Sequence, residues 1–168
     1  MTDPLFLPLD SPHATLALAG GKGANLARLV HGGFPVPGGF IVTTAAYAAF
    51  VEANQLAPQI AGTLADTDPT DPAALQRASE TIRGAFGGGA IPREVAIPLR
   101  EGYASLEGGP VAVRSSATAE DLPELSFAGQ QDTFLHVTGE AALLEAVVAC
   151  WSSLWTARAI GYRARNGI

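Results

Sequence analysis

Three groups of residues in this sequence have the types and spacing that suit an anion such as a phosphate chain. Lys22 lies among glycines where a helix is predicted to begin, so an ammonium and free backbone N–H groups would lie at the positive end of the helix dipole. Arg114 ends the β-branched run 111–114, and its planar guanidinium can hold two oxygens at once. The glycine turn 129–133 allows close backbone approach, and Thr133 adds a hydroxyl donor.

Each of these groups also has an interpretation that needs no ligand. Lys22 can be a solvated lysine in a flexible turn, and it is not part of a Walker A loop because glycine follows it where Ser or Thr is required. Arg114 can be ion-paired with Glu120 or Asp121 at the strand end. The glycine turn can be a hairpin whose two glutamines face water. The local patterns leave these alternatives open.

Other chemistries find little support in the sequence. Glu120 and Asp121 fit a solvated loop better than a metal pair. The Ser-Ser pair at 115–116 lacks the G-x-S-x-G elbow of a serine hydrolase. Cys150, beside a tryptophan on a helical pattern, fits a core thiol. The three histidines show no metal-ligand spacing: His13, His31 and His136. We therefore predict no catalytic and no metal-binding residues in this chain.

Composition narrows the class of protein further. The chain has 168 residues, 48% of them hydrophobic, enough for one domain with a core. Its net charge of −6 is the wrong sign for a nucleic-acid binder. A single cysteine suits a reducing cytoplasm, the N-terminus does not read as a signal peptide, and no apolar run approaches the roughly 20 residues of a membrane span. We expect a cytoplasmic protein with neither nucleic acid nor membrane as partner.

Hydrophobic periodicity predicts a mixed α+β fold. The longest predicted helix should bury Leu144, Val148, Trp151 and Trp155 on one face. The predicted elements, in chain order, are an edge strand at 5–9, a helix at 22–30, a strand at 40–42, a helix begun by Thr43 or Thr44, a polar connection at 55–70, a helix from 71 to about 84, a helix at 92–106 kinked or restarted at Pro98, strands at 111–114 and 133–137, and one helix from 139 to 165.

Three segments also resemble one protein family. They read VAVRSSATAEDLPELSFAGQQDTF at 111–134, GGKGANL at 20–26 continuing through VPGGFIVTT at 36–44, and CWSSLWTARAIGYR at 150–163. They resemble the signature of the N-terminal nucleotide-binding domain shared by phosphoenolpyruvate synthase, pyruvate phosphate dikinase and rifamycin phosphotransferase. The segments occur in the family's order, whereas residues 55–108 match only loosely.

The resemblance implies that residues 1–168 are a single partial domain, the N-terminal part of an ATP-grasp-type nucleotide-binding domain. The phospho-histidine and acceptor domains of such an enzyme would lie outside this chain. Six residues then fall on or next to the family's ATP-contacting positions, and they are Lys22, Arg114, Gly129, Gln130, Gln131 and Thr133.

The reaction implied by the resemblance passes the β-phosphate of ATP through a histidine to a small acceptor, either pyruvate or a rifamycin antibiotic. Magnesium is expected in the full-length enzyme, with ligands beyond residue 168. The chain by itself should hold ATP without turning it over. The alternative is a stand-alone, non-catalytic nucleotide-binding or regulatory module.

Overall fold

A computed structural model describes residues 3–118 and 132–167. This part of the chain contains both helices and short strands, which confirms the mixed α+β class. The elements are β1 (Phe6–Pro8), α1 (Leu16–His31), β2 (Phe40–Val42), α2 (Thr44–Ala53), α3 (Leu56–Ala65), α4 (Pro72–Gly87), α5 (Arg93–Ser105), β3 (Val111–Arg114), β4 (Thr133–Val137), α6 (Glu140–Ser152), a 3₁₀ turn (Ser153–Trp155) and α7 (Ala157–Asn166).

The described strands form two antiparallel ribbons. β1 pairs with β2, with Leu7 opposite Ile41, and β3 pairs with β4. Pro8 has no N–H to donate, and it ends a strand that has one neighbour in the described sheet, as the edge-strand prediction requires. The second ribbon joins Arg114 to Thr133, two of the residues predicted to bind phosphate.

The start of α4 follows the sequence prediction. The Asp71 carboxylate accepts a hydrogen bond from the Ala73 N–H at 2.9 Å, and Pro72 occupies the first helical position, where its missing N–H costs nothing. Leu75, Ala78 and Ile82 are buried on one face of the helix. The helix ends in the glycine stretch that follows Phe86, so its predicted extent is confirmed.

The predicted polar connection at 55–70 is wrong over residues 56–65, which form α3. Leu56 and Ile60 are buried, and Leu64 packs beside them, so the apolar residues recur every four positions. This spacing is typical of a helix with one buried face, and it was hidden by Pro58, which lies in the first turn where proline is tolerated.

Two further helix predictions differ from the structure. α5 continues through Pro98 without a break, because Val95 and Leu99 hold both halves against the core while the carbonyl of exposed Glu94 can turn to water. The single helix predicted for 139–165 is divided at the 3₁₀ turn, where α6 and α7 meet at 43°. Thr156 begins the new helix, its hydroxyl accepting from the Ala159 N–H at 3.3 Å.

The core lies between the helices and beneath the second ribbon. Its largest cluster joins α2, α3, α4 and α7 around Phe50 and Phe86, and a neighbouring cluster joins α2, α5 and α6 around Leu99 and Val147. Trp151 contacts both clusters. The predicted buried face of the long helix is offset by one position, because Leu143, Ala146, Val147 and Cys150 are fully buried, whereas Leu144, Val148, Trp151 and Trp155 are partly buried.

Within the described residues, no single helix is both long enough and apolar enough to cross a membrane. The bent pair of α6 and α7 passes that test only when its two parts are added together, and only by length and composition.

Candidate functional site

Arg114 and Thr133 lie side by side at one end of the second ribbon. They are direct partners in the antiparallel register, so their side chains project from the same face, and both are exposed. The preceding pair, Val113 and Phe134, faces the opposite way and packs on a core cluster that includes Tyr103. The alternation of the strand therefore presents a guanidinium and a hydroxyl together to solvent.

A bulge separates this pair from the far end of the ribbon. Two steps along β3, from Val111 to Val113, correspond to three steps along β4, from Val137 to Phe134. His136 carries the positive φ of 55° at this irregularity. We therefore assign His136 a backbone role in the bulge, which agrees with its lack of metal-ligand spacing in the sequence.

The loop after β3 docks onto a break in α1. Gly20 has φ of +66° and ψ of 177°, outside the helical region, so the helix is interrupted just before Gly21. The Ser116 hydroxyl donates to the Ala19 carbonyl at 2.7 Å and accepts from the Gly23 N–H at 3.0 Å. The Gly21 N–H donates to the carbonyl of Ala117 at 3.0 Å. A Cβ on Gly20 would lie 2.3 Å from the Ser116 carbonyl oxygen, so only glycine permits this contact.

This docking corrects one part of the sequence interpretation. The helix start around Lys22 was expected to offer free N–H groups to an anion. The Gly21 and Gly23 N–H groups are instead occupied by the loop that follows β3. Their effect is structural, because they tie the helix that carries Lys22 to the strand that carries Arg114.

Cys150 lies beneath the end of the second ribbon. The Cys150 thiol contacts the carbonyl of Val113 at 3.6 Å and that of Asp132 at 3.8 Å, the residues just before Arg114 and Thr133. The pKa of Cys150 is raised to about 12, mainly by burial and also by the Asp132 carboxylate, while a backbone hydrogen bond from Ser115 and the Lys22 ammonium act in the opposite direction. The segment that carries Lys22 is tied to the loop after Arg114 by the hydrogen bonds of Ser116 with Ala19 and Gly23.

Asp132 connects the end of the second ribbon to the surrounding helices. Its carbonyl accepts from the Ser115 hydroxyl at 3.2 Å, which closes the ribbon end. One carboxylate oxygen lies 3.8 Å from Arg83 of α4, and the other lies 3.7 Å from Arg158 of α7. A single residue next to Thr133 is thus in contact with three helices, α4, α6 and α7, and with Ser115, the residue that follows β3.

The structure pairs two of the six predicted site residues, Arg114 and Thr133, and docks the loop after Arg114 onto the helix that carries a third, Lys22. The other three, Gly129, Gln130 and Gln131, lie outside the described residues, as do Glu120 and Asp121, so the alternative ion pair for Arg114 stays a hypothesis. In residues 3–118 and 132–167, no group of three His, Cys, Asp or Glu side chains is placed to hold a metal ion. Cys150 is buried, as a core thiol should be.

Sequence reasoning missed the residues that hold the site together. Ser116 and Gly20 are nearly a hundred residues apart in the sequence. Neither the small-residue turn nor the glycine pair indicates which distant segment it contacts. Arg83 and Arg158 look like ordinary surface cations of two amphipathic helices. Asp132 was visible only as a polar residue between the glycine turn and β4. The sequence signal that could have indicated the contact of Ser116 with Gly20 is the pair of serines at 115–116, which directly follows the strand ending at Arg114.

Comparison with known proteins defines the class to which this fold and site belong. A profile of the family described as pyruvate phosphate dikinase, AMP/ATP-binding domain, matches residues 16–168. The chain belongs to this family. The match covers every described element from α1 to α7 and therefore includes Lys22, Arg114 and Thr133.

Individual relatives carry two different names. A probable phosphoenolpyruvate synthase of Methanothermobacter thermautotrophicus is 45% identical in an alignment of 157 positions that covers 90% of this chain and 23% of that protein. A phosphoenolpyruvate synthase of Aeropyrum pernix is 45% identical over 155 aligned positions, with 88% of this chain and 19% of that protein covered. A rifampicin phosphotransferase of Streptomyces sviceus is 46% identical over 155 aligned positions, with 91% of this chain and 18% of that protein covered. The chain thus spans less than a quarter of each of these relatives.

Proposed function

We propose that this chain binds the phosphates of ATP through Lys22, Arg114 and Thr133, with Gly129, Gln130 and Gln131 completing the contact. The observation that carries the proposal is the pairing of Arg114 with Thr133 at the ribbon end, together with the docking of the loop after Arg114 onto the helix that carries Lys22. Membership of an ATP-binding domain family supports the choice of ATP over another anion.

Charge makes the placement of these side chains important. The net charge of the chain is −6, so the overall field repels a triphosphate and local cations must overcome it. Lys22 is the only lysine in the sequence, and it offers three donors to phosphate oxygens. The Arg114 fork can take two oxygens of one phosphate, and the Thr133 hydroxyl beside it adds a neutral donor. Arg114 and Thr133 lie on the paired strands β3 and β4, and Ser116 joins this ribbon to the Lys22 helix by its hydrogen bonds with Ala19 and Gly23.

The first test is ATP titration calorimetry on the 168-residue chain, with and without magnesium. We expect Lys22→Ala and Arg114→Ala each to weaken binding by about 1.5–3 kcal/mol, the scale of a hydrogen bond to a charged group. Arg77→Ala is the matched control, because Arg77 is an exposed arginine of α4 whose carboxylate partner is Asp71 rather than a site residue. It should leave the affinity for ATP unchanged.

The single lysine provides a second readout in the same protein. Reductive methylation with a ¹³C label gives two NMR probes, one on the Lys22 side chain and one on the N-terminal amine. Addition of ATP should shift the Lys22 resonance and leave that of the N-terminus in place. Unchanged ATP affinity in both alanine variants, together with a static Lys22 resonance, would sink the assignment.

We further propose that the chain is the ATP-binding portion of a dikinase-type phosphotransferase. In such an enzyme the β-phosphate of ATP passes through a histidine to a small acceptor. Relatives named phosphoenolpyruvate synthase and rifampicin phosphotransferase match this chain almost equally well, at 45% and 46% identity. Residues 1–168 therefore do not favour pyruvate over a rifamycin as the acceptor, which fits an acceptor site located elsewhere in the enzyme.

The chain alone should bind ATP without cleaving it. Phosphoryl transfer needs a divalent metal bridging the phosphates and a nucleophile within reach, and the described residues offer no cluster of metal ligands. The assay mixes the chain with labelled ATP, magnesium and either pyruvate or rifampicin. AMP and phosphate should not form above the level seen with Lys22→Ala, and formation above that level would contradict the proposal.

A further inference from the structure

Asp132 is not one of the predicted ATP-binding residues, yet it contacts several elements around them. It lies immediately before Thr133, its carboxylate is shared by Arg83 and Arg158, and its carbonyl accepts from Ser115. Each arginine takes a different carboxylate oxygen, at 3.8 and 3.7 Å. The residue therefore ties the first residue of β4 to two helices and to the end of β3.

We propose that Asp132 is a positioning residue for the phosphate-binding side chains and that Arg83 and Arg158 hold it in place. This inference rests on the proposed function for its effect on ATP. Its structural part, that the two arginines fix the ribbon end through Asp132, does not depend on ATP.

Geometry supports a role for the whole arrangement rather than for either ion pair alone. Exposed ion pairs typically contribute little to stability one by one, and all three side chains here are about a third or more exposed. The two pairs share one carboxylate, however, and its backbone is fixed by the Ser115 hydroxyl and contacted by the Cys150 thiol. A network of this kind restrains one backbone position from four sides. That position is one residue from Thr133, the partner of Arg114 in the register.

Charge gives a second reason for the two arginines. A bare carboxylate next to a triphosphate site would repel the ligand. Two guanidiniums on one carboxylate leave a local charge of about +1, so Asp132 can anchor the strand without opposing the anion. Because each arginine already lies near a carboxylate oxygen, we assign them to Asp132 rather than to direct contact with phosphate.

The ATP-independent test uses Cys150, the only cysteine of the chain. Its thiol lies under the ribbon end, so loosening of Asp132 should expose it. In the absence of nucleotide, we expect Arg83→Gln/Arg158→Gln to speed iodoacetamide labelling of Cys150 by about three- to tenfold, the scale of one or two exposed ion pairs. Removing positive charge disfavours the reactive thiolate, so a faster rate would report exposure rather than charge. Arg77→Gln on α4 is the control and should label at the wild-type rate, and so should the charge-conserving Arg83→Lys/Arg158→Lys.

The second test is a double-mutant cycle on ATP affinity. In the wild-type background, the Arg83→Gln/Arg158→Gln pair should weaken ATP binding by about three- to tenfold, and in the Asp132→Asn background by less than about twofold. Equal losses in both backgrounds would mean that the arginines act on phosphate directly, which overturns the proposal. Cys150 labelling of the Arg83→Gln/Arg158→Gln variant within about twofold of the wild-type rate would also overturn it. Absence of ATP binding by the wild-type chain would instead refute the proposed function, and the labelling result would still decide whether Asp132 is anchored.

Discussion

At the scale of single residues, the Cys150 thiol has a raised pKa that reflects its position next to the candidate site. The thiol is buried beneath the ribbon end, and burial is the main reason that its pKa is raised from the ordinary value of 9.0 to about 12. The Asp132 carboxylate adds to the shift, whereas Lys22 opposes it. A thiol with such a pKa stays protonated at neutral pH, which makes it a packing group and a reporter rather than a nucleophile.

This pKa predicts how stability depends on pH. Between pH 9 and 12, the unfolded chain has lost a thiol proton that the folded chain keeps. The stabilisation is therefore fully present below pH 9 and is lost as the pH rises towards 12. Urea unfolding of the wild type and of Cys150→Ala at pH 7.5, 9.0 and 10.5 checks this. The wild type should lose more stability with pH than the variant, which shares every other titrating group, including Tyr47. Parallel curves would contradict the assignment.

At the scale of secondary-structure elements, the break in α1 is what brings the two cationic segments together. Gly20 combines a positive φ with an extended ψ, a conformation that is essentially restricted to glycine. It also receives the Ser116 carbonyl at a distance that no side chain tolerates. The helix beyond the break carries Lys22, and the loop that touches it follows Arg114 directly.

Gly20→Ala should therefore lower both stability and ATP affinity. Backbone strain alone costs about 1–3 kcal/mol, and the clash with Ser116 adds to it. Gly33→Ala is the matched control, because Gly33 also has a positive φ, of 75°, but has no atom within 4 Å of its added Cβ. Thermal unfolding and ATP titration of both variants separate the two effects. If Gly33→Ala weakens ATP binding as much as Gly20→Ala does, the docking of the loop is not what orients Lys22.

At the scale of the whole molecule, Trp151 joins the two main core clusters. Its ring lies 5.1 Å from that of Phe50 and 6.1 Å from that of Tyr47, measured between centroids. It also packs against the neighbouring cluster around Leu99 and Val147. Since α6 supports the second ribbon through Cys150, this packing links the helical core to the candidate site.

Trp151→Ala should consequently destabilise the chain as a whole. We expect a loss of about 3 kcal/mol, the lower end of the range for large aromatic side chains, because Trp151 is only partly buried. Phe34→Ala is the control, since that ring is 62% exposed and should change stability by less than about 0.5 kcal/mol. Chemical denaturation gives both values. A similar effect of the two substitutions would contradict a bridging role for Trp151.

Much of the local structure was predictable because its causes are local. The Asp71-Pro72 cap, the apolar stripe of α4 and the short strands that end at Val42 and Arg114 are encoded within a few residues each. The helix α3 and the division between α6 and α7 were missed because their local signals are ambiguous. Proline is tolerated in a first turn but usually indicates a loop, and a threonine can either continue a helix or begin one.

The sequence by itself determined the class of this protein and the residue types of its candidate site. Charge, donor chemistry and neighbouring glycines made Lys22, Arg114 and Thr133 candidates, because those properties belong to the residue and its immediate segment. The resemblance to one family then favoured phosphate binding over the interpretations without a ligand. Tertiary structure alone decided which of them meet and what holds them. The contacts of Ser116 with Gly23 and of Asp132 with Arg83 and Arg158 join segments far apart in the chain. Such pairings depend on how helices and strands pack, and no local pattern encodes them.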